Sequence, residues 1–246
     1  MYITAKLKNT YADLAFYEES HTYVHQKKQL TPASNIVESF AEEFDTEKHA
    51  TRVAFKRGIS KEVVKKEWAD GAKEAAGFGT ITHNFGERYA QAKFFDNTDL
   101  SIIIPSNGHE RAVIRYWNGL PAHIIPVYLE LRMYSKEYSY AGTCDRLLYN
   151  TITKKFILAD YKTNKDLFKN FRGKRMYTPF GHFLDMPYNH YQIQLSLYQV
   201  LLEEQGFEVE DRHIVWLLPD GNYKLYKTKD LRKLLKKYLN DYRRSN

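Results

Sequence analysis

Two aspartates and a lysine stand at matching positions on either side of a polar segment of the sequence. Alternating residues predict one strand at 141–149 and a second at 156–162. A turn centred midway between them places Asp145 directly opposite Asp160, and the two-residue period of a strand puts Lys162 on the same face. Two carboxylates this close repel unless a cation or a proton lies between them, and hard oxygen ligands suit Mg²⁺ or Mn²⁺. The hairpin therefore predicts a divalent-metal site.

A second pair of candidate ligands lies upstream, in a region of helical pattern. Residues 61–76 predict one helix, the glycines that follow predict a break, and a new helix is predicted to begin near Thr80. His83 and Glu87 are four residues apart, so both leave one face of that helix. An isolated histidine is commonly a core residue, but beside the hairpin we interpret His83 as a metal ligand. Glu87 is either a carboxylate near the metal or the partner of a neighbouring basic residue.

An alternating segment at 127–134 predicts a third strand. Its aliphatic residues, at odd positions from Val127 to Met133, share one face, and Glu130 lies on the other. If this strand pairs beside the hairpin, Glu130 reaches the metal site. The alternative is a surface carboxylate paired with Arg132.

The segment after residue 188 predicts one helix and two strands. The helix, at 189–204, places Gln194 and Tyr198 on one face, and an inward glutamine needs a hydrogen-bond partner. Strands at 212–218 and 223–227 follow. The strands together predict an α/β fold, in which a central mixed sheet carries helices on both faces.

The hairpin resembles the core of the PD-(D/E)xK nucleases in its Asp-x-Lys form. Asp145 precedes the hairpin turn, and Asp160 and Lys162 supply the Asp-x-Lys pattern after it. Gln194 and Tyr198 match the Gln-x-x-x-Tyr motif of the RecB-type branch, which phage exonucleases share. Any one of these patterns occurs often by chance, so their order along the chain carries the resemblance.

Two upstream features extend the resemblance. Residues 79–83, followed by Glu87, resemble the Gly-Thr-x-x-His…Glu element of the same branch. Glu130 stands where a strand glutamate is expected before the aspartate. Five pieces in the right order, within about residues 20–227, make the likeness specific.

The resemblance implies a restriction-endonuclease-like core within a single nuclease domain, 1–246. Its expected parts are a helical layer at about 32–120, a catalytic core at about 121–227, and a basic carboxyl-terminal helix at 229–244.

The resemblance also implies roles for the site residues. Lys162 positions or helps to deprotonate the attacking water, Glu130 holds a second metal or its waters, and Gln194 and Tyr198 orient active-site or DNA groups. The expected ligands of Mg²⁺ or Mn²⁺ are the side chains of His83, Asp145 and Asp160, with the backbone carbonyl of Tyr161.

A basic and aromatic stretch at 165–190 follows the Asp-x-Lys pattern and predicts a long loop or lid beside the site. Basic residues contact phosphates without reading sequence, and aromatic rings stack on unpaired bases. The alternative is a solvated loop. The candidate nucleic-acid-binding residues are Lys165, Lys169, Arg172, Lys174, Arg175 and Tyr177.

Composition limits the class of protein. The net charge of +7 favours a polyanionic partner, although a solvated basic surface explains the charge equally well. Aromatic residues make up 15% of the chain, which excludes a disordered protein, and the mean hydropathy of −0.60 with no long apolar run excludes a membrane span. The single cysteine, Cys144, excludes an internal disulfide and predicts a small core residue. With no signal-peptide pattern at the amino terminus, we expect a cytoplasmic protein, in the host if phage-encoded.

The resemblance implies a metal-dependent deoxyribonuclease, and by analogy with the RecB-type branch we expect an exonuclease that leaves 5′-phosphate ends in phage-type DNA replication or recombination. The alternatives are an endonuclease of the same fold and a non-catalytic nucleic-acid-binding protein. The polarity, the choice between single-stranded DNA, double-stranded DNA and RNA, and the oligomeric state stay open.

Overall fold

The computed structural model describes residues 2–245, with side chains from 3 to 241. The described helices are α1 (Tyr2–Thr10), α2 (Ala33–Glu38), α3 (Thr46–Arg57), α4 (Lys61–Phe94), α5 (Gly108–Asn118), α6 (Pro187–Glu203) and α7 (Arg232–Ser245). The described strands are β1 (Leu14–Tyr17), β2 (Thr22–His25), β3 (Lys28–Pro32), β4 (Ile124–Ser135), β5 (Tyr140–Asn150), β6 (Lys155–Lys162), β7 (Val209–Leu217) and β8 (Tyr223–Lys227).

The strands form one mixed sheet in the order β1-β2-β3-β5-β6-β7-β8, and β4 pairs with β5. β6 runs parallel to β7, and β3 runs parallel to β5, while the other neighbours are antiparallel. The prediction of an α/β fold with a central mixed sheet flanked by helices is confirmed. The amino-terminal strands β1 to β3 extend the sheet beyond the strands that the catalytic segments predicted.

Helices cover both faces of the sheet. The α6-side core joins the sheet to α1, α2, α6 and α7, and includes Leu7, Val37, Leu158, Leu197 and Leu235. The α4-side core joins the opposite face to α4 and α5, and includes Phe85, Tyr116, Trp117, Ile157 and Val215. Residues 32–120 are therefore largely helical as predicted, but they divide between the two faces because α2 packs on the α6 side. None of the described helices is long and apolar enough to cross a membrane.

The hairpin of β5 and β6 has the predicted register. The described pairs run from Asn150↔Lys155 to Arg146↔Ala159, so the next pair in the same register is Asp145 and Asp160. Beyond Ala159, β6 keeps its pairing with β7 as far as Lys162 but no longer pairs with β5. The two strands part where the aspartates lie, and this fork leaves room for side chains and for the backbone of Tyr161.

The predicted break near Thr80 is wrong, because α4 is one continuous helix of 34 residues. An interior glycine costs a helix roughly 0.5–1 kcal/mol relative to alanine, which tertiary packing can offset. Here Phe85 and Tyr89 are buried in the α4-side core, and Ser60 caps the helix by accepting a hydrogen bond from the Val63 N–H at 3.3 Å. Packing after the glycines therefore outweighs their helix propensity.

The predicted alternation of β4 is wrong at one position. Leu131 and Met133 pack in the α6-side core, whereas Leu129 packs against the α4-side core. The strand changes face at Glu130, whose φ of 52° lies in the left-handed region. This conformation is uncommon for a residue with a side chain and costs of order 1–3 kcal/mol, so inside a strand it points to a functional role.

Candidate functional site

The site lies at the fork of the hairpin, under the middle of α4. His83, on the inward face of α4, contacts both strands: its Nδ1 lies 3.1 Å from Oδ2 of Asp145, and its Nε2 lies 3.0 Å from the carbonyl oxygen of Tyr161. The Tyr161 N–H also donates to Oδ2 of Asp145, at 3.4 Å. Three of the groups expected to hold a metal therefore lie in direct contact.

Glu130 completes a compact group of possible ligands. One ligand atom from each of His83, Glu130 and Asp145 lies within 4.8 Å of the others. Asp160, which the sequence predicts as a ligand, lies outside this group, and its Oδ2 is paired with Nζ of Lys162 at 2.5 Å. The structure thus places Glu130 with His83 and Asp145, and places Asp160 beside them in an ion pair.

The carboxylates differ in how easily they lose a proton. Burial alone raises the pKa of Asp145, but His83 and Arg146 outweigh burial and hold it well below its usual range. Burial, followed by the charge of Asp145, raises the pKa of Glu130 to about 8 and that of Asp160 to about 6. Asp145 is therefore the permanent anion of the site, whereas Glu130 stays mainly protonated at neutral pH unless a further cation lowers its pKa.

Lys162 is a half-buried cation beside the carboxylates. Burial lowers its pKa, but Asp160 and Asp145 outweigh burial, so the pKa of Lys162 lies above its ordinary value. Its Nζ also lies 4.3 Å from the centroid of the Tyr191 ring. The ammonium is held between two carboxylates and an aromatic face.

Gln194 and Tyr198 form a hydrogen-bonded pair on α6, beside β5. Nε2 of Gln194 donates to the Tyr198 hydroxyl at 2.8 Å, which is the local partner that the sequence predicts. The ring of Tyr198 lies against β5 so closely that a Cβ at Gly142 would lie 2.5 Å from its Cε1. In the described structure, this pair supports the strand that carries Asp145.

Neither Glu87 nor Glu130 forms the ion pair with a basic neighbour that was the alternative to a place in the site, among the described residues. Glu87 is half-buried, and its charge raises the pKa of Glu130, so it lies on the side of the site. No ion pair joins Glu87 to Arg88 or Lys93 within the described chain. Arg132 is exposed and lies over the Phe16 ring, at 4.7 Å from its centroid, rather than against Glu130.

Arg146 and Gly86 also build the site, although no sequence motif identifies them. Arg146 is fully buried, donates from Nη1 to Oδ2 of Asp145 at 3.1 Å, and lies 3.3 Å from the centroid of the Tyr161 ring. A Cβ at Gly86 would lie 2.5 Å from Cε2 of Tyr161 and 3.0 Å from Nη2 of Arg146, so this glycine lets α4 approach the sheet. An interior helix glycine between His83 and Glu87 is the signal that points to such a close approach.

The predicted loop connects β6 to α6 and has no helix, although one isolated bridge joins Arg175 to Leu184. Lys174 is paired with Glu42 at 2.9 Å. Whether the loop binds nucleic acid stays a prediction. Five of the six candidate residues are exposed: Lys165, Lys169, Arg172, Arg175 and Tyr177.

Metal binding is expected to tighten as the pH rises, because a cation competes with the proton on Glu130. The pKa of Glu130 in the metal-free protein is about 8, so below that value a proton must leave before the carboxylate can bind. The apparent Mg²⁺ affinity should rise by up to about tenfold per pH unit between pH 7 and 8, and then level off. Calorimetric titration in buffers of different ionisation enthalpy measures both the affinity and the released proton.

Glu130→Gln is the control for this titration. The variant should bind Mg²⁺ more weakly and lose most of the pH dependence above pH 7. An unchanged affinity across this range in the wild type would contradict the assignment of Glu130 to the metal group.

No family model and no curated protein matches the chain. Among solved structures, the chain is similar to the crystal structure of SSO0001, with 15% sequence identity and a TM-score of 0.35, over 96% of this chain and 84% of that one. A likeness at this TM-score carries no argument about function.

Proposed function

We propose that the protein is a divalent-metal-dependent deoxyribonuclease that hydrolyses phosphodiester bonds from DNA ends. The observation that carries the proposal is the convergence of His83, Glu130, Asp145 and Asp160 with Lys162 at the fork of one hairpin. The preference for ends and the 5′-phosphate product rest on the resemblance to RecB-type phage exonucleases. The proposed setting is the cytoplasm, in the host if the protein is phage-encoded.

The donor set fits Mg²⁺ or Mn²⁺. Asp145 and Glu130 offer carboxylate oxygens, Tyr161 offers a carbonyl oxygen, and His83 offers a ring nitrogen. The raised pKa of Glu130 is the sign of buried anions that an added cation would stabilise. Asp160 would join the group when its ion pair with Lys162 opens. A metal bound here would supply a water of lowered pKa and neutralise charge on the phosphate.

The protein's own groups then have separate tasks. Lys162, as an ammonium, is placed to hold a water or a phosphate oxygen and to offset negative charge that develops during hydrolysis. His83 fixes Asp145 and the Tyr161 carbonyl relative to each other, because one ring contacts both. In the metal-free protein the pKa values of Glu130 and Asp160 lie near neutrality, so whichever of these carboxylates the metal leaves uncoordinated is placed to accept a proton from water.

Cleavage of linear and circular DNA tests the proposal. The purified protein is incubated with each substrate, with and without Mg²⁺ or Mn²⁺, beside Asp160→Ala and a matched control, Asp70→Ala, which alters an exposed aspartate on α4. We expect metal-dependent loss of the linear DNA alone, reduced at least about 100-fold by Asp160→Ala and unchanged by Asp70→Ala.

Each other outcome has a distinct meaning. Nicking of the circle would assign an endonuclease of the same site. Equal activity of the wild type and Asp160→Ala would refute the catalytic site. DNA binding without cleavage under either metal would favour the non-catalytic alternative.

A further inference from the structure

A row of three side chains crosses the sheet from the proposed site to its edge. Lys162 on β6 pairs directly with Trp216 on β7, and Trp216 pairs directly with Lys224 on β8. Directly paired residues share a face of the sheet, so the three side chains lie side by side. The row leads from a half-buried cation at the hairpin fork to an exposed cation on the edge strand.

Aromatic rings from three parts of the chain surround this row. Phe168 in the loop lies 5.2 Å from the Tyr188 ring on α6 and 5.4 Å from the Tyr226 ring on β8, between centroids. Tyr226 lies 6.4 Å from the Trp216 ring. We call Phe168, Tyr188, Trp216 and Tyr226 the aromatic platform.

The platform is fixed in place but partly open to solvent. Nε1 of Trp216 donates to the carbonyl oxygen of Asn164 at 2.7 Å, which holds the indole against the start of the loop. The side chain of Asn164 accepts a hydrogen bond from the Tyr191 hydroxyl, the ring that lies beneath Lys162. Phe168 is 41% exposed, although a phenylalanine is more often buried. The platform is thus joined to the proposed site by direct contacts.

Charge complements the rings. Nζ of Lys224 lies 5.5 Å from the centroid of the Trp216 ring, and Lys165 is exposed in the same loop as Phe168. Cations beside exposed ring faces are the combination that binds single-stranded nucleic acid, because phosphates contact the cations while bases stack on the rings. Paired bases inside a duplex do not present their faces, so a duplex cannot use the platform in this way.

We propose that the aromatic platform binds the unpaired bases of a single-stranded DNA end and guides that strand towards Lys162. This inference rests on the proposed function, because it names the substrate of the same site. The strand crosses the sheet along the row from Lys224 to Lys162, with bases on Phe168 and Trp216. The enzyme therefore takes single-stranded ends, or duplexes with an unpaired end, in preference to blunt duplexes.

Binding without divalent metal tests the platform separately from cleavage. A labelled single-stranded DNA oligonucleotide, a blunt duplex of equal length and the matching single-stranded RNA are titrated in EDTA by fluorescence anisotropy. Two variants test Phe168. Phe168→Ala removes the whole side chain beyond Cβ, and Phe168→Leu removes the ring but keeps apolar bulk. The control is Phe55→Ala, which alters an exposed phenylalanine on α3. Thermal melting confirms that each variant is folded.

Both Phe168 variants should weaken single-stranded DNA binding about fivefold or more, since stacking supports each base. Duplex binding should change by less than about twofold, and Phe55→Ala should leave both unchanged. Lys224→Gln should reduce the slope of log binding constant against log salt concentration for single-stranded DNA by about 0.7, because one phosphate contact is lost. Lys154→Gln, in the turn at the far end of the hairpin, should leave this slope unchanged.

Equal losses for single strand and duplex, or no loss beyond that of Phe55→Ala, would overturn the platform even if the enzyme cleaves DNA. Binding of the RNA alone would overturn the DNA assignment. A selective loss in Phe168→Ala in a protein that cleaves nothing would support the platform and refute the nuclease, so the two proposals fail separately.

Discussion

Replacing Lys162 with methionine should lower DNA cleavage by about 10²–10⁴-fold and leave metal binding in place. Methionine keeps much of the length and apolar stem of lysine but has no charge and no proton to donate. The loss falls on the step in which negative charge develops, because the Lys162 ammonium is paired with Asp160 at 2.5 Å. Single-turnover cleavage measures the rate, and the shift in melting temperature on adding Mn²⁺ measures metal binding.

The matched control is Lys155→Met on the same strand. Lys155 is half-buried and pairs with the exposed Glu208 at 3.0 Å, at the opposite end of the hairpin, and a surface pair of this kind contributes about 0–1 kcal/mol. Cleavage by this variant should equal that of the wild type. If Lys162→Met keeps its full rate, the ammonium has no part in hydrolysis. If it loses the Mn²⁺ shift as well, its role is to build the metal group.

The register of the hairpin could be predicted because it depends on local rules. The period of a strand is two residues, and a turn centred between two strands sets which residues face each other. These rules suffice to place Asp145 beside Asp160. Helical spacing placed His83 and Glu87 on one face, whereas the interpretation of His83 as a ligand depended on the hairpin and on the resemblance to the Gly-Thr-x-x-His…Glu element.

Tertiary packing decided the features that sequence rules missed. The glycines of α4 lower its helix propensity, but the burial of Phe85 and Tyr89 stabilises the helix through them. The left-handed residue in β4 is Glu130, and strand propensity gives no reason for a glutamate to adopt that conformation. In this conformation the Glu130 carboxylate lies with His83 and Asp145. Departures from local sequence rules are expected at functional sites.

The burial of Arg146 is another feature that the sequence does not predict. A basic residue in a strand predicts an exposed position, yet Arg146 is fully buried, and its Nε and Nη2 have no hydrogen-bond partner among the described residues. The guanidinium of Arg146 is stacked on the Tyr161 ring and donates a hydrogen bond to Asp145, so its positive charge stabilises the Asp145 carboxylate. No spacing rule identifies such a residue before the sheet is assembled.

Replacing Arg146 with methionine should destabilise the protein by about 3 kcal/mol, because it leaves Asp145 as a buried anion without its nearest guanidinium. The effect lies at the lower end of the usual range, since His83 still contacts the same carboxylate oxygen. Urea denaturation of the metal-free protein measures the free energy of unfolding. Arg132→Met is the matched control on β4, where an exposed guanidinium should contribute less than about 1 kcal/mol.

A double-mutant cycle separates the charge of Arg146 from its packing. If charge pairing with Asp145 dominates, Asp145→Asn should recover most of the stability lost in Arg146→Met, because the double variant no longer buries an unpaired anion. If the stack on Tyr161 dominates, the two losses should simply add. Additive losses would refute the view that Arg146 holds Asp145 as the permanent anion of the site. A coupling energy of about 2 kcal/mol or more between the two substitutions would establish that the Arg146 guanidinium keeps Asp145 ionised.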